Sequence, residues 1–210
     1  VYSDWVEENG ERERAEFIRA QIREGGIVSW GDVPKEVKNW TKKIFPSSKW
    51  RGEFYRGFPS AIVIGDHYDT VHKLRKAIDS ISWDWCYAAE FWCGQQSLNE
   101  AFFSEPRIGQ LMALSIYGHN VLEEFVASDD GEHDRNPIPE LVESPYIENL
   151  ISLKIDCPTT EGEFALLARC EALKNLTRLN FDSVDFSRAK MRALAEKNQL
   201  AKVKHLAFNN

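Results

Sequence analysis

His67, Asp69 and His72 have the spacing best suited to chemistry, in the pattern H-x-D-x-x-H. Two imidazoles and a carboxylate brought together could share a divalent ion, which would make the chain a metal-dependent hydrolase. The plainer reading is a polar turn in which Asp69 or Thr70 caps a helix starting at Val71. It is preferred, so no metal is assigned. Glu132-His133-Asp134 reads as a solvated charge run. Glu123-Glu124 and Asp129-Asp130 read as surface, since general-acid work needs a cleft that raises one of two pKa values. Nucleophilic catalysis needs an activating base and an oxyanion site, and no G-x-S-x-G elbow or G-x-x-x-x-G-K-[ST] loop is present. The expectation is a protein without catalytic residues and without a cofactor.

Four cysteines, Cys86, Cys93, Cys157 and Cys170, lack C-x-x-C spacing and read as reduced, half-buried thiols of a cytoplasmic protein. Trp83, Trp85, Tyr87, Phe91 and Trp92 form an aromatic band. It could stack sugars or bases, or anchor a partner, but the simpler assignment is core and end-capping. A net charge of −7 over 210 residues and a mean hydropathy of −0.44 argue against nucleic acid, whose phosphates need clustered Lys and Arg. No apolar run reaches membrane-spanning length. The sequence opens at Val1 rather than Met, so a preceding segment is expected, and further repeats or a partner are expected beyond Asn210.

The elements that would position any site are written in the last third of the chain, where one pattern recurs. Ile138, Leu141, Val142, Ile147, Leu150, Leu153 and Ile155 set one copy. Phe164, Leu167, Ala168, Leu173, Leu176, Leu179 and Phe181 repeat it 26 residues on, and Met191, Leu194, Ala195, Leu200, Val203, Leu206 and Phe208 a further 27 on. With 43% apolar residues, a second copy would match at all seven positions by chance about 0.3% of the time. The first three positions share a helix face and the last two alternate as in a strand. Such a unit buries its apolar side only by stacking on neighbours. An earlier copy has Asn99 in the first slot, then Phe102, Phe103, Ile108, Leu111, Leu114 and Ile116, and precedes the Ile138 copy by 39 residues. The excess is assigned to a polar loop insertion at about 129–137.

Upstream, Ala15, Ile18 and Ile22 form an amphipathic stripe, and Asn9-Gly10 is a turn signal. Two helices are expected, Asp4 to Glu8 and Glu11 to Arg23, with Trp5, Val6 and Phe17 meeting between them. Pro34 suits the start of a helix over 35–45, and Trp30, Trp40 and Trp50 are placed over the end of the core. Ala61-Ile62-Val63-Ile64 reads as a buried strand. A helix follows to Ile78, with Val71, Leu74 and Ile78 on one face. The template does not fit between Ser80 and Gly94.

Tyr2-Ser3-Asp4-Trp5-Val6-Glu7-Glu8-Asn9-Gly10, followed by Arg14-Ala15-Glu16-Phe17-Ile18-Arg19-Ala20-Gln21, resembles the signature of the bacterial repeat-companion domain. Glu53 to Phe58 resembles that family's F-x-R-G-F segment. The resemblance implies ribonuclease-inhibitor-type leucine-rich repeats downstream: an α/β solenoid with parallel strands on its concave side, helices on its convex side and a small N-terminal helical cap. It divides the chain into a cap at 1–52 and an array at 53–210, with degenerate repeats to about 97 and clearer ones over 98–210. It also admits a subunit, regulated partner or substrate of a bacterial signalling or defence enzyme complex. The asparagine of such repeats would fall at His119, Pro158 and Val184, so irregular turns are expected there.

Residues between the apolar strand positions point away from the core. They include Tyr117, Lys154, Asp156, Arg178, Asn180, Asp182, His205 and Asn209, a polar band of mixed sign. The expected function is non-catalytic protein–protein recognition or scaffolding through this band, the partner being another protein, with no nucleic acid and no membrane.

Overall fold

Leu153, Leu179 and Leu206 lie side by side on adjacent parallel strands, the relationship on which the repeat reading depends. The computed structural model describes residues 2–24, 27–29, 39, 51–55, 58–64, 70–79, 83, 86–93, 95–118, 136–182, 187–195 and 200–209. Helices α1 (Tyr2–Glu8) and α2 (Arg12–Glu24) lead into strands β1 (Ile27–Ser29), β2 (Arg51–Tyr55) and β3 (Phe58–Ile64). Helix then alternates with strand: α3 (Val71–Asp79), β4 (Ala88–Trp92), α4 (Gln96–Phe103), β5 (Ala113–Tyr117), α5 (Ile138–Glu143), β6 (Ser152–Asp156), α6 (Glu161–Arg169), β7 (Arg178–Asp182), α7 (Arg188–Ala195) and β8 (His205–Asn209). All eight strands form one sheet in chain order. β3 to β8 are parallel, and β1, β2 and β3 pair antiparallel. Six parallel strands in sequence order, joined through helices, make a solenoid-like α/β fold.

The repeat reaches further upstream than the sequence reading took it. Shifted to start inside α3, the seven-position template reads Leu74, Ala77, Ile78, Trp83, Cys86, Ala89 and Phe91, all buried. Trp83 and Cys86 stand in this copy where the other copies lead one to expect leucine. Its strand, β4, pairs in register with β5, Ala89 opposite Leu114 and Phe91 opposite Ile116. The unit at the other end departs from the pattern. On α7, Ala193 and Leu194 are buried, whereas Met191 and Ala195, expected inside, are exposed. Among the described residues β8 is the last strand of the sheet.

One core runs through the parallel units, and it joins helix residues Phe102, Leu141 and Leu167 to strand residues Leu114, Leu153 and Leu179. Burial of each such side chain stabilises by about 1.5–3 kcal/mol. Stacked phenylalanines carry it between layers: Phe91 on Phe102 at 4.2 Å and Phe164 on Phe181 at 4.8 Å. Backbone bonding repeats as well. The amides of Met112 and Ala113 share the Tyr87 carbonyl, those of Ile151 and Ser152 the Met112 carbonyl, and those of Thr177 and Arg178 the Ile151 carbonyl.

A polar ladder missing from the sequence reading ties successive turns. Two residues after the fourth template position, Gln110 donates to the Trp83 carbonyl at 2.9 Å, Asn149 to Gly109 at 2.6 Å and Asn175 to Glu148 at 3.0 Å. Lys202, at the same position, donates to Asn175 Oδ1 at 3.1 Å. The first three bonds give turn carbonyls a donor, and the Lys202 bond holds the Asn175 side chain that makes one of them. Of the three positions checked for an asparagine, only Pro158 is described; its carbonyl accepts from Asn136 Nδ2, and that of Cys157 from Thr159 Oγ1.

At the N-terminus α1 closes on Gly10, whose φ of +85° is the left-handed conformation that glycine adopts without strain. Glu11 N–H donates to the Val6 carbonyl and Gly10 N–H to that of Glu7, the paired bonds of a Schellman stop. Val6 packs on Ala15 and Ile18, and Phe17 joins the main core. Trp5 and Ile22, expected to face inward, are exposed, and Gln21 takes the buried place instead. The boundary drawn at residue 52 falls inside β2, so the segment before the array contributes strands to the same sheet. Of the helix expected over 35–45 only Asn39 is described, as helical and exposed; Trp30, Trp40, Trp50 and nearly all of the insertion lie outside the described residues.

Candidate functional site

The strands β5, β6 and β7 bury their second and fourth residues and leave the others half-buried or exposed. Tyr117, Lys154, Asp156, Arg178, Asn180 and Asp182 occupy these outward positions, and His205 and Asn209 pair in register with Arg178 and Asp182 on the neighbouring strand. Pairing fixes the rows of this open face. Tyr117 lies opposite Asp156, Lys154 opposite Asn180, Arg178 opposite His205 and Asp182 opposite Asn209.

The side chains form a connected chain across four strands. Trp92 on β4 stacks on Tyr117 at 5.0 Å with 21° between the rings. The Lys154 ammonium sits 5.0 Å from the centre of the same Tyr117 ring, and its Nζ reaches Asp182 Oδ2 at 2.6 Å. Burial of Lys154 disfavours its charge, but its hydrogen bond to Asp182 and that carboxylate's charge outweigh the burial and raise the ammonium above its ordinary value. Beside this chain, Asn180 Oδ1 is buried and meets no donor among the described residues, an acceptor that costs stability unless something binds it. Arg178 and His205 are exposed at the start of β7 and β8, and Asp156 and Asp182 are half-buried at the far ends of β6 and β7. The face therefore carries the Arg178 guanidinium at one margin and the Asp156 and Asp182 carboxylates at the other.

Trp92 and Glu90 also belong to this face; Ala88-Ala89-Glu90-Phe91-Trp92 holds a single polar residue, so its alternation shows in the burial of the strand and not in residue type. The aromatic band divides accordingly. Trp83 is buried and donates its indole N–H to the Ile78 carbonyl at 3.0 Å, Phe91 is core, and Tyr87 and Trp92 are exposed. Trp85 lies outside the described residues.

Under the far end of the face, Cys93, Gly118 and Cys157 follow β4, β5 and β6. A Cβ on Gly118 would fall 2.5 Å from Cys157 Cβ and 3.6 Å from Cys93 Sγ, so glycine lets the two thiols approach across the middle strand. A hydrogen bond with Cys93, and then burial, push the Cys157 thiol far above the ordinary range. Such a thiol is a poor nucleophile. All four cysteines are buried and free.

His72 is exposed in the first turn of α3, while His67, Asp69, the Glu132–Asp134 run and the acidic pairs lie outside the described residues. Thr70 Oγ1 accepts from Lys73 N–H at 3.3 Å, the cap expected for this helix. Among the described residues no three His, Cys, Asp or Glu side chains cluster as metal ligands, and no helix is long and apolar enough to cross a membrane.

No family model, curated protein or solved structure matches the chain. Fold and face together define an α/β protein of stacked helix–strand units that presents one ordered polar sheet surface.

Proposed function

We propose that this chain is a non-catalytic recognition or scaffold module of leucine-rich-repeat type that binds another protein through the open face of its parallel sheet. The observation that carries the reading is the connected chain Trp92–Tyr117–Lys154–Asp182, fixed across four strands before any partner arrives. Preordered side chains lose little entropy on binding, and aromatic and charged groups on a rigid support make good anchors. Asn180 adds an acceptor still lacking a donor. Four buried free cysteines support a reducing, cytoplasmic setting.

The test is quantitative affinity purification from the native host with the wild-type chain and a Lys154→Ala, Arg178→Ala, Asn180→Ala variant. Circular dichroism and thermal melting establish that both are folded. Proteins retained by the wild type and lost by the folded variant are the expected result. The same proteins held equally by both would remove the open face from the function.

A further inference from the structure

On β4 to β7 the outward positions fall in three rows. The row formed by the last residue of each strand holds two rings and two carboxylates. Trp92 pairs with Tyr117 and Tyr117 with Asp156, and Asp156 and Asp182 follow the paired Ile155 and Phe181 on adjacent strands. This row already holds a cation. The Lys154 ammonium, from two residues before Asp156, lies 5.0 Å from the centre of the Tyr117 ring and 2.6 Å from Asp182 Oδ2.

One ammonium does not balance two carboxylates. Asp156 is half-buried, and its side chain has no ion pair or hydrogen bond among the described residues. A carboxylate partly stripped of water with no donor in its place costs free energy. Asn180, opposite Lys154, likewise has a buried Oδ1 that meets no donor among the described residues. Both unmet groups are acceptors, so the face calls for donors. The exposed Arg178 stands at the opposite margin, on the first residue of β7. Like-charge repulsion therefore directs a further cation to the Asp156 end.

The side chain that fits is a donor-rich cation on a long apolar stem. An arginine brings five N–H groups in a planar fork, which can bond a carboxylate in pairs and stack on aromatic rings. Trp92, stacked on Tyr117 at 5.0 Å and 36% exposed, offers ring surface to the stem and the guanidinium. Lysine, a compact and strongly hydrated point charge, matches such a site less well. A nucleic acid or an acidic segment would set negative charge against Asp156 and Asp182.

We propose that the Trp92–Tyr117–Asp156 row is an arginine-recognition site, which takes an arginine side chain from a basic segment of the partner protein. The stem lies on the two rings, the guanidinium bonds the Asp156 carboxylate, and a further donor of the same segment meets Asn180 Oδ1. The site rests on the docking role proposed for the face and gives its partner a chemistry.

The test is a heteronuclear NMR titration of the isotope-labelled 210-residue chain with millimolar N-acetyl-arginine amide, beside its lysine and citrulline counterparts. Citrulline keeps the shape of arginine and loses its charge. The arginine amide is expected to shift the Trp92 indole and the Tyr117 and Asp156 signals. Its affinity should exceed that of the citrulline amide about tenfold and fall about tenfold in Asp156→Asn, a variant whose own spectrum reports its folding. Equal shifts with citrulline, unchanged affinity in folded Asp156→Asn, shifts centred on other residues, or no binding by the wild type would overturn the proposal. So would a dimer in sedimentation equilibrium that Asp156→Asn dissociates, since the occupant would then be a second copy. The titration uses the purified chain alone, which separates it from the affinity purification. Proteins lost from the Lys154→Ala, Arg178→Ala, Asn180→Ala variant but held by folded Asp156→Asn would leave the docking face standing and remove its arginine site.

Discussion

Lys154 on β6 and Asp182 on β7 are joined diagonally across the open face, Nζ to Oδ2 at 2.6 Å, with side chains 29% and 17% exposed. The pair is less screened than an ordinary surface bridge. A double-mutant cycle of Lys154→Met and Asp182→Asn, read by urea unfolding, is expected to give a coupling of about 1–1.5 kcal/mol. No coupling would mean that the face is not preordered.

The same lysine sets an alkaline limit. Its folded pKa is raised above the ordinary 10.5, so its contribution is fully present below 10.5 and fades as pH climbs through the higher folded value. The stability difference between the wild type and Lys154→Met should stay constant up to about pH 10 and shrink above it. Equilibrium unfolding across that range checks the sign.

Arg107 staples one turn to the preceding unit. Its guanidinium bonds Glu105 at 2.6 Å, Asp79 at 2.7 Å and the Ile78 carbonyl at 3.2 Å. The Arg107 bond holds the Glu105 carboxyl below its ordinary 4.5, so this stabilisation is present above pH 4.5 and lost as pH falls through the lower folded value. Glu105→Gln is expected to cost about 1 kcal/mol at pH 7 and to flatten the acid limb of the stability curve. Arg107→Lys, which cannot serve three acceptors with a planar fork, is expected to cost about 1–2 kcal/mol.

Gly118 leaves no room for a methyl group. Because an added Cβ would fall 2.5 Å from Cys157 Cβ, Gly118→Ala should destabilise by about 2 kcal/mol. In the folded wild type, iodoacetamide at pH 8 should leave Cys157 unmodified, since its hydrogen bond with Cys93 and its burial disfavour the thiolate. Peptide mass mapping should show faster labelling in Gly118→Ala.

Thr160 closes both arms of a capping box: its Oγ1 accepts from Glu163 N–H at 3.3 Å, and its own N–H donates to Glu163 at 2.6 Å. Thr160→Ala is expected to cost about 1 kcal/mol and Thr160→Ser almost nothing. Thermal melts of the two variants side by side check this.

The sequence by itself determined the period of the array, the strand positions and the side of each strand that faces out, because periods of 3.6 and 2 write burial directly into residue type. It also carries Thr160-x-x-Glu163 as a capping box, and the polar residues Gln110, Asn149, Asn175 and Lys202 two places after the fourth apolar position of four copies. Only the tertiary structure decided what depends on neighbours distant in the chain. It placed Trp83 and Cys86 in a leucine's role, set Trp92 on Tyr117, brought Cys93 to Cys157 over Gly118, and left Leu206 and Phe208 partly exposed on β8. A side chain's type states what it can bury or bond. Which neighbour it meets is set by how the units stack, and that relation lies outside any single stretch of sequence.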